Sequence, residues 1–433
     1  MTALSRIGAL RGAIAFLALG LPGCAVDPAM PGGTTAGPVN IDSANLQTSL
    51  DRMVAERRIP GAIVRIVEDG RVLADVTSGY SDMDAKIPLA EDSIFRLYSM
   101  SKPITSVAIL MLAEQGKLSL DDPAEKYLPE WHDMSVYVSG GLEDMVTEPV
   151  ARPITIADLL THTSGITYHF TGNTPVHQYY RKYGVMRDTP VGRTPQDGPP
   201  ARNLDELVER LGKAPMLHQP GKEFAYSYST TVLGAVIERA SGERLDRFLQ
   251  QHLFAPLGMT HTGFFIADAD LPRFTTLYTA GRDGLAVTEL PTGSDYRDPH
   301  RLLDGGGAIA STADDYMRFA QMLANRGELD GKRILSEANV DAMLQPRVRI
   351  AGFGPETAWM GYGLALGTAE TEAHSGLPDG GGSWSGSGNT YFFIDPKHKG
   401  VALLMTNFLD GSQVQTELRG LVNRSYYTLV KDH

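Results

Sequence analysis

The sequence predicts a mixed fold of the α/β class, α+β in type, with one antiparallel sheet built from both chain ends and a helical lobe inserted between them. Apolar, β-branched residues at 62–67 and 71–74 flank an Asp-Gly turn, which indicates a hairpin near the start. Residues 391–394 and 401–406 indicate two strands near the end, and the patterns between the two ends are mostly helical. The expected bounds are about 42–95 and 305–433 for the sheet lobe and about 96–304 for the helical lobe.

The N-terminal stretch is typical of an export signal. Two arginines precede the apolar residues 13–19, which are too few to span a bilayer as a mature helix, and Cys24 follows a Leu-Pro-Gly triplet that resembles a bacterial lipobox. We therefore expect a lipoprotein-type signal peptide over 1–23, lipidation of Cys24, a flexible tether over 24–41 and the periplasmic side of the bacterial cell envelope as the location. A signal peptide cut nearby, with an incidental cysteine, is the alternative. Because Cys24 is the only cysteine, an internal disulfide is excluded.

The composition excludes several classes of function. The chain of 433 residues has 39 Lys and Arg against 51 Asp and Glu, a formal net charge of −12. An acidic protein without a basic run is a poor candidate for nucleic-acid binding. The 11 histidines show no metal-ligand spacing, so we expect neither a metal nor a cofactor. Contact with a membrane is expected only through the lipid anchor, and the oligomeric state is left open.

Ser99 and Lys102 form a Ser-x-x-Lys sequence at the head of a predicted helix. Pro103 marks the helix start, because proline is tolerated in the first turn of a helix but not in its interior. The three-residue spacing places both side chains on one helix face, and a serine hydroxyl needs such a neighbouring base to become a nucleophile. The free N–H groups at the helix start can help to bind an oxyanion. A lone Ser-x-x-Lys is a weak signal, so its interpretation depends on further motifs.

The middle of the chain contains two predicted helix starts and a long irregular stretch. A capping box at 155–158 opens a short helix, and Asn203 caps another. Residues 167–203 are rich in Gly, Pro and aromatic residues and are predicted to form a long loop, which either packs over a substrate or is a surface insertion. Tyr226 follows a Pro-Gly turn and precedes a predicted buried helix over 232–240.

Three further elements complete the prediction. Residues 43–56 are expected to form a helix before the first strand. Asp304 and three glycines lead through a loop at 311–314 into an amphipathic helix, and residues 412–430 are expected to form a closing helix.

These motifs together resemble the serine β-lactamase and penicillin-binding-protein-like superfamily, and within it the class C β-lactamases. Ser-x-x-Lys is one signature of that superfamily. Residues 159–165 (Leu-Leu-Thr-His-Thr-Ser-Gly), 224–227 (Phe-Ala-Tyr-Ser) and 306–315 resemble further landmarks, in the same order and at familiar distances. The resemblance extends from about residue 42 to the C-terminus and implies a β-lactamase/transpeptidase-like fold.

The resemblance also implies roles for individual residues. Ser99 is expected to be the nucleophile, Lys102 its proton acceptor, and Tyr226 the second acid/base, which passes a proton to the leaving group. Lys102 can act as a base only if its pKa falls toward neutrality, as burial would cause. Tyr226 needs a cationic neighbour, so the pair is expected to titrate as a unit. His162 is expected to be a structural residue at a helix end.

Two departures from the class C pattern favour an esterase. Tyr228 stands where class C enzymes have the Asn of Tyr-x-Asn, and Trp384 stands where they have the Lys of Lys-Thr-Gly. The Trp-x-Gly pattern, completed by Gly386, resembles family VIII carboxylesterases. Loss of a cation weakens the docking of a β-lactam carboxylate, and an aromatic side chain suits a neutral ester. His374 is a rival for this third motif, but Trp384 has the better distance from the Asp-Pro turn at 395–396.

The expected site and function follow from this resemblance. The backbone N–H groups of Ser99 and Ser387 are expected to form the oxyanion hole. The residues expected to contact the substrate are Trp384, Gly386, Tyr228 and Tyr168. We expect a serine carboxylesterase that cleaves a small-molecule ester through an acyl-enzyme on Ser99. The alternatives are a β-lactamase or D-amino-acid peptidase, an acyltransferase, and a non-catalytic envelope binding protein.

Overall fold

The described part of the chain comprises residues 43–189, 193–281, 284–350, 358–409 and 413–431 of a computed structural model. The predicted signal peptide, Cys24 with its predicted lipidation, and the predicted tether lie outside these residues. Within the described ranges the helices are α1 Ser43–Ala55, α2 Ser101–Glu114, α3 Ile156–Leu160, α4 Pro175–Lys182, α5 Leu204–Lys213, α6 Ser229–Ser241, α7 Leu245–Leu249, α8 Ala255–Leu257, α9 Ala313–Ala324, α10 Glu337–Met343, α11 Ala369–Ser375 and α12 Gln413–Lys431. The strands are β1 Gly61–Glu68, β2 Arg71–Asp82, β3 Ile87–Pro88, β4 Ile94–Arg96, β5 Ser135–Ser139, β6 Val146–Pro149, β7 Leu277–Gly281, β8 Gly284–Glu289, β9 Ala310–Thr312, β10 Glu328–Leu329, β11 Lys332–Arg333, β12 Val348–Ile350, β13 Ala358–Met360, β14 Ala365–Leu366, β15 Gly382–Ser385, β16 Tyr391–Asp395, β17 Gly400–Met405 and β18 Phe408–Leu409.

The main sheet is antiparallel and joins the two ends of the chain. In the described residues its strand order is β12-β13-β14-β15-β16-β17-β1-β2-β3. The N-terminal strands meet the C-terminal ones where β1 pairs with β17, with Ile63 opposite Met405 and Val67 opposite Val401. The predicted sheet from both chain ends is therefore confirmed.

Helices cover both faces of this sheet, which explains why β1 is apolar apart from Arg65 and the terminal Glu68. Side chains alternate between the two faces of a strand. Val64 and Ile66 pack on the face covered by α1 and α12. Ile63 and Val67 join the larger core on the opposite face, where α9 packs against β16 and β17. A strand buried on both faces reads as a continuous hydrophobic run.

The helical part packs around α2, the helix that begins within the Ser-x-x-Lys sequence. Residues 101–112 of α2 are all buried, and the helix packs against α6. A helix that is apolar around its whole circumference is expected to lie inside a protein. In turn α6 packs against α3, α5 and α7. No helix in the described residues is both long enough and apolar enough to cross a membrane.

Three local predictions differ from the structure. The stretch 167–203 was predicted to be a long loop, but it contains α4, which starts at Pro175 and has two basic residues in its last turn. Residues 311–314 were predicted to form a loop, but residues 311 and 312 belong to β9, which pairs with β4, and residues 313 and 314 begin α9. The short strands β12–β14 were not predicted, because segments of two or three residues have no measurable periodicity.

Candidate active site

Ser99 lies in a strained turn between β4 and α2. Residues Tyr98–Met100 form a single 3₁₀ turn, and α2 begins at the next residue rather than at Pro103. Tyr98 has a φ of 47°, a conformation that costs energy for a bulky residue and persists only where neighbours enforce it. Here the Tyr98 ring is buried, and the turn presents Ser99 half-exposed at the end of the helix.

The turn between β15 and β16 holds this strained segment in place. The Thr390 hydroxyl donates to the Leu97 carbonyl at 3.2 Å. Gly386 lies so close to the same carbonyl that a Cβ atom there would be 2.2 Å from the oxygen. Gly386 is buried, so the structure gives it a packing role rather than the substrate contact that was expected. Ser387 follows it and is exposed, on the turn that packs against the Ser99 segment.

Ser99, Lys102 and Tyr226 come together at hydrogen-bonding distance. The Tyr226 hydroxyl donates to Ser99 Oγ at 2.6 Å, and Lys102 Nζ donates to the same oxygen at 3.1 Å. Lys102 is fully buried and also donates to the carbonyl oxygen of Gly306 at 2.6 Å. The two side chains predicted to form the acid/base pair therefore both donate to the oxygen of the predicted nucleophile, Ser99 Oγ.

The pKa of Lys102 differs in direction from the prediction. Burial lowers it, but the oxygens of Tyr168 and Tyr226 and the carboxylate of Asp304 raise it by more, and the net pKa lies above its ordinary value. The predicted fall toward neutrality is therefore wrong for the free enzyme. The neighbouring oxygens and their hydrogen bonds outweigh desolvation here.

The end of α3 positions Tyr226. The backbone N–H of Ala225 donates to the His162 carbonyl at 2.8 Å, and the ring centroids of His162 and Tyr226 are 5.1 Å apart. His162 is buried with a φ of 55°, and its Nδ1 lies 3.0 Å from Ser227 Oγ. Burial, together with the charge of Lys102, holds the pKa of His162 well below its usual value. A neutral histidine with these contacts supports the expected structural role.

Aromatic rings surround the acid/base pair. The centroid of the Tyr168 ring lies 5.2 Å from that of Tyr226, 4.8 Å from that of Phe170 and 4.4 Å from that of Tyr228. The stretch 167–203 therefore does pack over the site through its first residues.

Tyr228 lies deeper than expected for a substrate contact. It is 2 % exposed, and its hydroxyl is 2.7 Å from Nδ1 of His169. It supports Tyr168 from behind, because the two rings pack edge to face. The expectation that Tyr228 touches a substrate is not supported by this burial.

Trp384 lies on β15, as the third motif requires, opposite Phe392. Its ring centroid is 6.0 Å from that of Tyr226. Its indole N–H is buried and has no hydrogen-bond partner among the described residues. The rival residue His374 belongs to α11, so the strand position favours Trp384.

The sequence analysis assigned no role to the groups that hold the glycine run against Lys102. Lys102 Nζ donates to the Gly306 carbonyl. The Thr105 hydroxyl donates to the Gly305 carbonyl at 2.7 Å, and Asp304, beside these glycines, is buried. A run of three glycines after an acid was a usable signal, because glycine allows close backbone approach. Elsewhere in the described ranges, no group of three or more His, Cys, Asp or Glu is placed to hold a metal.

A family model described as Beta-lactamase matches residues 46–424. The chain belongs to the β-lactamase family. It is 32% identical over 363 residues to an uncharacterized protein of Mycobacterium tuberculosis, covering 81% of this chain and 86% of that protein. It is also 32% identical over 388 residues to Esterase EstB of Burkholderia gladioli, covering 84% of this chain and 90% of that protein.

The fold of the β-lactamase family is also found among solved structures that resemble this one. EstCE1, described as a hydrolase with promiscuous acyltransferase activity, superimposes with a TM-score of 0.74 at 27% identity. That match covers 88% of this chain and 98% of EstCE1. The predicted superfamily and its mixed fold with a large antiparallel sheet are confirmed.

Proposed function

We propose that this β-lactamase-family protein is a serine esterase that works through an acyl-enzyme on Ser99. The observation that carries the proposal is the arrangement at Ser99 Oγ, which lies 2.6 Å from the Tyr226 hydroxyl and 3.1 Å from Lys102 Nζ. A serine needs such neighbours to lose its proton on attack. The similarity to Esterase EstB and to the hydrolase EstCE1 supports the same reaction class.

Both side chains of the acid/base pair lie within hydrogen-bonding distance of Ser99 Oγ. The pair of Lys102 and Tyr226 takes the proton of Ser99 as Oγ bonds to the ester carbonyl carbon. The same proton then passes to the alcohol oxygen, the bond between that oxygen and the carbonyl carbon breaks, and the alcohol leaves.

Water completes the cycle by the same route. It gives a proton to the pair, attacks the acyl carbon and forms the second tetrahedral intermediate. The proton returns to Ser99 Oγ as the acyl–Oγ bond breaks, and the carboxylic acid is released. In both halves of the cycle the negative oxygen is expected to accept hydrogen bonds from the backbone N–H groups of Ser99 and Ser387.

An ester is the favoured substrate because an aromatic side chain replaces the cation of the third motif. Trp384 and Tyr226 form adjacent aromatic walls, 6.0 Å apart between centroids. A carboxylate, as on a β-lactam, gains most from an arginine or lysine, whereas a neutral ester gains from apolar contact.

Initial rates on p-nitrophenyl butyrate and on a chromogenic cephalosporin test this proposal. The wild-type chain without its first 24 residues is expected to cleave the ester much faster than the cephalosporin, and Ser99→Ala is expected to lose ester cleavage and labelling by a fluorophosphonate. Full ester activity in Ser99→Ala would exclude the proposed mechanism. A dominant cephalosporin rate would reject the ester assignment, and absence of both activities and of labelling would favour a binding protein.

Acyl transfer to an alcohol is a second candidate, favoured by the similarity to EstCE1, a hydrolase with promiscuous acyltransferase activity. An alcohol would then take the place of water at the acyl carbon. Product analysis with p-nitrophenyl butyrate and an added primary alcohol separates the two: formation of the butyrate ester of that alcohol supports transfer, and butyric acid alone supports hydrolysis.

A further inference from the structure

A buried carboxylate lies behind the lysine of the site. Asp304 is 3 % exposed, and its Oδ1 accepts hydrogen bonds from the Thr231 hydroxyl at 2.6 Å and from the Gly306 N–H at 2.8 Å. The carbonyl oxygen of that same glycine accepts from Lys102 Nζ at 2.6 Å. Gly306 is thus fixed to Asp304 through its amide and fixes Lys102 through its carbonyl.

The second carboxylate oxygen pairs with an arginine from a distant segment. Arg187 Nε lies 3.0 Å from Asp304 Oδ2, with 13 % and 4 % of the two side chains exposed. Arg187 Nη2 donates to the Gly307 carbonyl at 3.3 Å. Burial lowers the pKa of Arg187, but Asp304, together with Tyr296, Asp295 and Tyr98, raises it above its ordinary value. This ion pair ties the stretch 167–203 to the glycine run.

Gly306 and Gly307 pack tightly against Asp304. A Cβ at Gly306 would lie 2.8 Å from Thr231 Oγ1 and 3.0 Å from Asp304 Oδ1. A Cβ at Gly307 would lie 3.1 Å from Asp304 Oδ2. The backbone is wrapped closely around the carboxylate, so any displacement of Asp304 must move the carbonyl that holds Lys102.

We propose that Arg187 and Asp304 are positioning residues that fix the Gly306 carbonyl, and through it the Lys102 ammonium, in line with Ser99. The proposal rests on the proposed function, because it requires that Lys102 take part in catalysis. Both residues act through Gly306 rather than at the reacting atoms. The stretch 167–203 then contributes to catalysis through Arg187 as well as to the wall of the site through Tyr168.

The test compares Arg187→Met, Arg187→Lys and Asp304→Asn on p-nitrophenyl butyrate at neutral pH. We expect kcat to fall by about 10- to 100-fold in Arg187→Met and Asp304→Asn, with KM nearly unchanged, because small misplacements of a reacting group cost up to about 100-fold. Arg187→Lys is expected to recover part of kcat, since it keeps the charge but not the planar fork.

Arg65→Met is the matched control, because Arg65 is similarly buried and pairs with Asp75 on the sheet. It is expected to lower the melting temperature without changing kcat below it. A similar fall of kcat in Arg65→Met and Arg187→Met at equal loss of stability would reduce the ion pair to a structural role and overturn the proposal. Wild-type kcat in folded Arg187→Met and Asp304→Asn would also overturn it.

Two further variants keep the outcomes distinct. If Asp304→Asn does not fold, Thr231→Val replaces it, since it removes one hydrogen bond to Asp304 and leaves the charge. A several-fold fall of kcat supports the proposal, and no change contradicts it. Ser99→Ala distinguishes failure of the positioning role from failure of the proposed function. If Ser99→Ala is inactive while Arg187→Met is fully active, only the positioning role is rejected. If Ser99→Ala is active, the proposed function itself is rejected.

Discussion

The hydroxyl of Tyr226 makes the shortest side-chain contact to Ser99 Oγ, at 2.6 Å against 3.1 Å for Lys102 Nζ. Tyr226→Phe removes this hydroxyl and keeps the ring that packs against His162 and Trp384. We expect kcat on p-nitrophenyl butyrate to fall by about 10²- to 10⁴-fold, the usual contribution of a positioned acid/base, with little change in melting temperature.

Tyr180→Phe provides the matched control for that measurement. Tyr180 is fully buried in α4, and its hydroxyl has no hydrogen-bond partner among the described residues. Removing an unpaired buried hydroxyl is expected to leave both kcat and stability nearly unchanged. A fall of less than about threefold in Tyr226→Phe would contradict its role in proton transfer.

Gly386 offers a second test, directed at the turn that supports Ser99. A Cβ there would meet the Leu97 carbonyl at 2.2 Å, so Gly386→Ala must push the turn bearing Ser387 away from the nucleophile. We expect a fall in kcat of about 10- to 100-fold, since a displaced oxyanion donor or nucleophile weakens the transition state. Gly263→Ala, where a Cβ would have nothing within 4 Å, is the control for the substitution itself.

Among the residues of the site, those that belong to short sequence motifs were predicted. Those that reach the site only through contacts in the folded chain were missed. Ser99, Lys102 and Tyr226 stand in recognisable sequences, so their identity was accessible. Arg187 has no such context, because its role depends on a contact with Asp304 that only the folded chain creates. The direction of the Lys102 pKa was mispredicted for a related reason, since it depends on which oxygens surround the amine.

The capping box of α3 controls the helix that ends beneath Tyr226. Thr155 and Asp158 bond each other's backbone N–H groups, and Arg152 Nη1 pairs with Asp158 Oδ2 at 2.6 Å. Burial raises the pKa of Asp158, but the hydrogen bonds from Arg152 and Thr155 lower it by more. A carboxyl whose pKa is lowered by folding adds stability above its ordinary value of about 4 and loses it as the pH falls.

Asp158→Asn is therefore expected to destabilise the protein by about 1–2 kcal/mol at pH 7, a figure kept small because Arg152 is 44 % exposed. The difference from wild type is expected to shrink as the pH falls through 4 and below. Urea unfolding at pH 7, 5 and 3.5 measures it. A difference that grows toward acid pH would contradict the lowered pKa.

Among the elements, length decided what the sequence could predict. The long strand β1 and the helices α1, α6 and α12 have clear periodicity and were predicted near their observed bounds. α4 was missed although it has a proline in its first turn, because the surrounding Gly and Pro residues indicated a loop.

For the whole molecule, stability depends on helices far from Ser99. Leu418 in α12 is fully buried against the face of the sheet that α1 also covers. Leu418→Ala is expected to cost about 2–5 kcal/mol in unfolding free energy through lost contacts and a cavity. Far-UV circular dichroism during heating measures the loss. Below the new melting temperature kcat is expected to be unchanged, and a lower kcat in the folded variant would show that α12 influences the site.

The overall architecture was predictable because strand signals occur at both ends of the sequence with helical signals between them. The order of the strands was not, since β12–β14 are too short to be seen and their pairing is settled by tertiary contacts.

The pairing of β1 with β17 also determines when the molecule can fold. β1 is made early in synthesis and has only β2 as a partner until residues 400–405 emerge. Until then one edge of an apolar hairpin stays open, and exposed edges of this kind pair readily with other chains. The open edge of the hairpin therefore exposes each nascent chain to pairing with its neighbours until its last strands are made. Fewer chains in synthesis at once, as with weaker induction, are expected to give a higher yield of soluble protein.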